Sequence, residues 1–267
     1  MQVQGKTGMY EVTNEACTCP DYIYRQEQIG GSCKHMKKLF IINKIYKKFK
    51  TMKEATTYIH SLSNPSKMAT CGYSISALEC NVGGLLYNVK GSVCEHCYAR
   101  KGHYIFPVVK NAHEKRLNKI NNEPLWVDAM IHIINNKKRN KKNIDKFRWH
   151  DSGDLQSDKH LDMICEIARN TPNVKHWLPT KETTVVSGYI KTHEIPPNLN
   201  IRISATMIDG KPKDIKGTTT SIVISKEMMG KNDMDCPIYA DDSHGKSCGD
   251  CEECYKKTVK NVNYLEH

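Results

Sequence analysis

Eleven of the chain's twelve cysteines fall into three compact sets, of three, four and four, whose spacing suits metal ligation. The first is Cys17-x-Cys19 with Cys33-x-His35. The second is Cys80 with Cys94-x2-Cys97, and Cys71 lies just upstream. The third is Cys236 with Cys248-x2-Cys251-x2-Cys254. Thiolates and imidazoles at such gaps hold zinc or iron–sulfur centres. A chain of 267 residues does not need three such centres merely to fold, so at least one is a candidate for chemistry.

Each set has its own donor logic. Cys17, Cys19, Cys33 and His35 make a closed four-ligand shell, the mark of a structural zinc site that leaves no position for substrate. Cys80, Cys94 and Cys97 supply three thiolates, enough for a [4Fe–4S] cubane with one iron left for an outside ligand. With Cys71 as a fourth ligand, the same set would instead close around zinc. Cys236, Cys248, Cys251 and Cys254 could hold either zinc or a complete [4Fe–4S] cluster. The two-residue gaps on both sides of Cys251 are the pattern of cubane ligation. Cys165 lies on an apolar helical face and reads as core.

These residues need a frame to position them. The pattern over the last two hundred residues is strands alternating with helices. Short β-rich runs are Gly72–Ile75, Phe147–His150, Val174–Leu178, Asn200–Ser204 and Ser221–Ser225. Helical spacing covers Val108–Ile120 and Leu125–Asn136. A further helix is capped by Ser157 and carries Leu161, Ile164, Cys165 and Ala168 on one face. Such alternation implies βαβ units and a parallel sheet. At roughly thirty residues per unit it allows five or six strands. The expected fold class is therefore α/β, a partial parallel (β/α) barrel or open parallel sheet of about five or six strands. A small zinc-finger module precedes it. That module, residues 1–62, would hold a short strand at Tyr10–Val12 and a basic helix through Leu39, Ile42, Tyr46 and Phe49. The polar stretch Ser61–Lys67 would link it to residues 66–267.

The net charge is +11, yet only seven of the forty basic residues are arginine, and the lysines concentrate on helix-like stretches at 37–53 and 137–146. The charge permits a nucleic-acid partner as readily as a solvated face. No signal-peptide pattern or membrane-length apolar run occurs, so the expectation is a cytoplasmic protein without a membrane partner. The G-x-S-x-G elbow, Walker A run, H-E-x-x-H and deaminase signatures are absent.

Three resemblances refine this reading. The order C-x-C…C-x-H, with Pro20 after Cys19 and a basic stretch after His35, resembles the SWIM zinc finger. That implies recognition of DNA or a protein partner. The runs Ser74–Gly84, Gly91–Tyr104, Arg148–Gln156 and His176–Glu182 resemble the phage protein family typified by gene product 88, over about residues 66–267. This implies a phage or prophage origin, in the cytoplasm of a host cell, but no particular reaction. Finally, Cys94-x-His96-Cys97 is similar to the last half of the C-x3-C-x-aromatic-C motif of radical S-adenosylmethionine enzymes, with His96 in the aromatic place. The Ser152-Gly153-Asp154 turn resembles their Gly-Gly-Glu segment. Cys80 departs from that pattern, lying fourteen positions before Cys94. The resemblance implies S-adenosylmethionine as cofactor and a separate electron donor. Asp154 would meet the cofactor's amine, and Lys181 or Glu182 its ribose or carboxylate.

Overall fold

The computed structural model describes residues 2–4, 9–11, 16–26, 33, 49–65, 67–68, 70–139, 142–230, 234–240 and 247–266. The chain divides into two compact units, Met1–Lys50 and Thr51–His267.

In the first unit, strands β1 (Gln2–Gln4) and β2 (Met9–Glu11) pair antiparallel. The Cys17–Cys19 turn is tied back to β2. The Thr18 N–H donates to the Glu11 carbonyl, and the Glu11 N–H to Thr18 Oγ1. A helical turn, Tyr22–Gln26, follows. His35, Leu39, Ile42 and Tyr46 lie outside the described residues.

The sequence places the division between units at 61–67, whereas packing places it between Lys50 and Thr51. The reason is helix α1 (Met52–Ile59), which buries Ala55 and Ile59 and packs on a helix of the larger unit. The Ile59 carbonyl also accepts from the Tyr73 hydroxyl at 2.6 Å.

The larger unit contains a six-stranded sheet. Its strands are β3 (Cys71–Tyr73), β6 (Lys146–Trp149), β7 (Lys175–Thr180), β8 (Leu199–Ser204), β9 (Thr219–Ile224) and β10 (Asn261–Leu265). Every pairing is parallel, and the strands lie side by side in chain order. The α/β expectation and its strand count hold. Each crossover leads to the next neighbour, such crossovers share one hand, and the first three carry helices. These are α2 (Asn81–Leu86), α3 (Pro107–Asn122), α4 (Trp126–Asn136), α5 (Asp158–Arg169) and α6 (Thr183–Tyr189). Ser157 caps α5, accepting the His160 N–H at 3.2 Å.

Side-chain alternation along the strands separates two environments. Phe147, Trp149, His176, Leu178, Ile201 and Ile203 are buried. Phe147 and Trp149 form an aromatic cluster with Trp126 of α4 and the imidazoles of His160 and His176. The alternate residues Arg148, Trp177, Pro179, Ser204, Ser221, Val223 and Tyr264 line a single cavity of about 960 Å³. Five neighbouring strands facing one cavity curl as part of a barrel wall.

The lysine-rich run after α4 is not helical. Lys137 ends α4, and β4 (Lys138–Arg139) pairs with β5 (Lys142–Asn143) as a short antiparallel hairpin. A run of Lys and Asn has no apolar stripe to hold a helix, and the chain reverses to bring buried Ile144 toward β6. Among the described residues, no helix is long and apolar enough to cross a membrane.

Candidate metal centres and the chamber between them

Cys80, Cys94 and Cys97 meet beyond the C-terminal ends of the strands, where parallel sheets present functional groups. Cys80 is the N-cap of α2. Cys94 sits in a turn held by Ser92, whose Oγ accepts the Cys94 and Glu95 N–H groups and donates to the Leu86 carbonyl. That turn is pinned to the loop after β8. Val93 N–H donates to Thr206 O at 2.9 Å, and Ile208 N–H to Gly91 O at 3.0 Å.

Gly83 keeps the space between two of the thiols open. A Cβ there would stand 3.0 Å from Cys80 Cβ, 3.5 Å from Cys94 Sγ and 3.7 Å from Cys80 Sγ. Burial pushes the Cys80 thiol up to about 12, with Asp154, Cys97 and Cys94 adding to the effect and Lys181 opposing it. Burial raises Cys94 as well, again opposed by Lys181. Without a cation the Cys80 and Cys94 thiols are neutral. His96 is exposed and lines the cavity. Cys71 lies at the opposite end of β3, its Sγ 3.6 Å from Asn64 Oδ1.

The Ser152–Asp154 turn packs beside this set. Ser152 O accepts the Ile75 N–H, so the loops after β3 and β6 are joined. Gly153 has φ +82. Asp154 is buried, and its Oδ1 and Oδ2 accept the Leu155 and Lys181 N–H groups at 2.7 and 2.9 Å. Burial raises its pKa against the pull of those hydrogen bonds and of Lys181. Lys181 lines the cavity, and its ammonium acts on both Cys80 and Cys94. Glu182 is engaged differently, accepting the Val82 N–H at 2.8 Å and so capping the helix that begins at Cys80. Gln156 reaches the Glu79 carbonyl. His150, at φ 52, is buried with neither ring nitrogen hydrogen-bonded among the described residues. Arg202 donates to the carbonyls of Thr220, Glu253 and Val259 rather than entering this group.

The third cysteine set occupies the opposite edge of the sheet. Glu252 bridges Lys146 and Lys175, the first residues of β6 and β7. Cys251 N–H donates to Cys248 O, Cys248 N–H to Lys67 O and Cys236 N–H to Asn263 O, each at 2.8 Å. Cys254 Sγ lies 3.1 Å from the Tyr264 hydroxyl. Burial, helped by the neighbouring thiols, pushes Cys236 to about 12 and Cys248 to about 11. The cavity touches both sets, at Cys94 and Cys97 and at Cys236, Cys248 and Cys254. Cys165 is in the core, as the sequence implies.

In the N-terminal unit, the sulfurs of Cys17, Cys19 and Cys33 lie within 4.8 Å of one another, and all three residues are buried. Burial pushes Cys17 up to about 12. Two ligands 2.3 Å from a tetrahedral zinc stand about 3.8 Å apart, so these sulfurs fit one ion. Among the described residues, no other set of three such groups is so compact. In each of the other two cysteine sets, at least one sulfur therefore stands farther off.

Sequence reasoning missed the chamber and the roles of Asp151 and Arg148. Asp151 accepts hydroxyl hydrogen bonds from Ser63, Ser74 and Tyr104. The available signal was the alternation in Phe147-Arg148-Trp149, which puts a cation on the face opposite two core aromatics.

The fold and site thus define an α/β protein with cysteine sets at both edges of a curled parallel sheet. The chain belongs to the gene product 88 family, whose profile it matches over residues 38–260. That match begins upstream of the residue 66 expected from sequence. No curated protein and no solved structure matches the chain.

Proposed function

We propose that the chain is an iron–sulfur enzyme of the radical S-adenosylmethionine type. The observation that carries this is the placement of Cys80, Cys94 and Cys97 at the C-terminal edge of six chain-ordered parallel strands, beside the Ser152–Asp154 turn. Three thiolates from Cys80, Cys94 and Cys97 would leave one iron of a cubane open to an outside ligand. What such a cluster supplies when bound is one-electron reduction of S-adenosylmethionine, drawing on a separate electron donor.

The chain's own groups have definite tasks in this reading. Asp154 presents its remaining lone pairs to the cofactor's amine, while the Lys181 ammonium meets its carboxylate. Glu182 positions Cys80 through α2. His96, at the exposed rim, shields the set from solvent. Cys236, Cys248, Cys251 and Cys254 hold a second [4Fe–4S] cluster, as electron relay or substrate anchor. Cys17, Cys19, Cys33 and His35 hold zinc in a SWIM-type module that docks DNA or a protein partner, and a nucleic-acid-related substrate suits the charge of +11.

A second reading rests on the compact N-terminal thiols. In it all three sets hold zinc, and the protein is a non-enzymatic DNA- or protein-binding adaptor. Metal and acid-labile sulfide analysis on protein purified without oxygen, followed by a cofactor-cleavage assay with reductant, separates the two. Brown protein yielding 5′-deoxyadenosine supports the enzyme. Colourless protein with zinc alone and no sulfide ends that reading.

A further inference from the structure

Neither cysteine set uses one element of the chamber. Arg148 of β6 lays its guanidinium over the Trp177 ring, 4.7 Å from the centroid. Its Nη1 donates to the soft sulfur of Met68 at 3.6 Å, and its Nε is enclosed without a hydrogen bond among the described residues. No carboxylate among the described residues forms an ion pair with it. The nearby Asp151 favours the charged guanidinium from a distance, while its oxygens accept from the hydroxyls of Ser63, Ser74 and Tyr104. The Trp177 Nε1 is a second enclosed donor with no partner among the described residues. Ser204 accepts from Ser221 at 3.2 Å, which leaves its own proton to give. Arg148, Trp177 and Ser204 line the same cavity of about 960 Å³, at the upper end of small-molecule sites.

We infer that Arg148 anchors a small molecule bearing a carboxylate or a phosphate monoester on an apolar or aromatic body. The guanidinium touches no carboxylate directly among the described residues, so its fork is free to take an incoming oxyanion. The planar fork held flat on Trp177 can grip two oxygens at once. The aromatic wall favours a flat body beside the anion. The inference rests on the proposed enzyme only in calling this molecule a substrate. The binding itself needs no cofactor.

The rival cause for the cation is close by, since the charge of Arg148 acts on Cys248 and Cys254 and could balance a centre held there. Calorimetric titration of the full-length protein with benzoate, phenyl phosphate and neutral benzamide decides between them. The expected result is saturable binding of one or both anions and none of benzamide, and the tighter anion identifies the source chemistry. Arg148→Met should weaken that binding about tenfold or more, and Arg148→Lys, which keeps charge without the fork, less. Should Arg148→Met fail to fold, the lysine variant and the wild-type contrast of anion with amide carry the test. The inference is overturned if wild type does not distinguish benzoate and phenyl phosphate from benzamide, or if both variants bind as wild type does. It is equally overturned if Arg148→Met sheds metal while anion affinity stays unchanged. Anion binding in protein that cleaves no S-adenosylmethionine would sink the enzyme reading and leave this anchor standing.

Discussion

Glu182 accepts the Val82 N–H at 2.8 Å, joining residues one hundred positions apart. Val82 belongs to the first turn of α2 and Cys80 is its N-cap, so the carboxylate satisfies a helix-end donor where Cys80 makes no side-chain cap. Glu182→Ala should orphan that donor at a cost of about 1–2 kcal/mol and loosen Cys80. Metal retained per chain after desalting should fall, whereas Glu182→Gln, which keeps an acceptor oxygen, should retain most of it. Equal metal in both variants would show that the cap does not position the thiol.

Gly153 and Gly217 both have positive φ, +82 and +84, but their surroundings differ. A Cβ on Gly153 would drive into the Ile75 side chain and stand 2.9 Å from the Ile75 carbonyl oxygen, while one on Gly217 meets nothing within 4 Å. Gly217→Ala should therefore carry only the conformational penalty, about 1 kcal/mol. Gly153→Ala adds backbone displacement and should cost at least about 2 kcal/mol more, in the range of overpacking. Urea midpoints of the two variants against wild type measure the gap. Similar losses would mean that the Ile75 contact yields easily.

Acid should destabilise the larger unit well above the carboxylate range. His176 Nδ1 faces the Trp149 indole N–H, which can only donate, and its Nε2 lies 2.8 Å from Thr171 Oγ1. The ring is therefore held neutral with its proton on Nε2, and burial lowers its pKa to about 3. Burial lowers His160 to about 4, and His150 falls well below its ordinary value. An unfolded chain takes up these protons below about 6.5, before the folded one does. Stability is thus intact above that pH and drains away as pH falls toward 4 and 3, by several kcal/mol in all. Equilibrium unfolding from pH 7.5 to 4.5 should show the decline, and His160→Gln should flatten it. A profile flat down to pH 5 would contradict the burial of these imidazoles.

The sheet was legible because its strands are short, β-branched and separated by amphipathic helices, the pattern of Ile201–Ile203 against Leu161–Cys165. Ser157 was legible as a cap for the same local reason. The cysteine sets were legible as sets, since metal spacing is a property of the chain itself. Contacts across long sequence separations were not. Nothing near Glu182 points to Val82, and nothing near Glu252 points to Lys146 and Lys175. The lysine-rich stretch at 137–146 misled because charge frequency carries no period, and the hairpin there is set by the burial of Ile144 and the start of β6. Nothing in the sequence marks the imidazole of His150 as unbonded among the described residues either. Its left-handed backbone is a tertiary demand of the turn after β6.

The compact sulfurs of Cys17, Cys19 and Cys33 predict a zinc that can be removed on its own. Zinc-site peptides gain on the order of 10 kcal/mol from the metal, so a small unit built around one folds with it. Cys19→Ser should lower zinc by one equivalent per chain, and His35→Ala should weaken its retention against a chelator if His35 is the fourth ligand. Thr51–His267 carries its own sheet and aromatic core. Its unfolding transition should therefore persist in both variants. Unchanged zinc in Cys19→Ser would show that these three thiols, close as they are, do not hold the ion. Loss of iron alongside zinc would show that the N-terminal set serves the larger unit's centres as well.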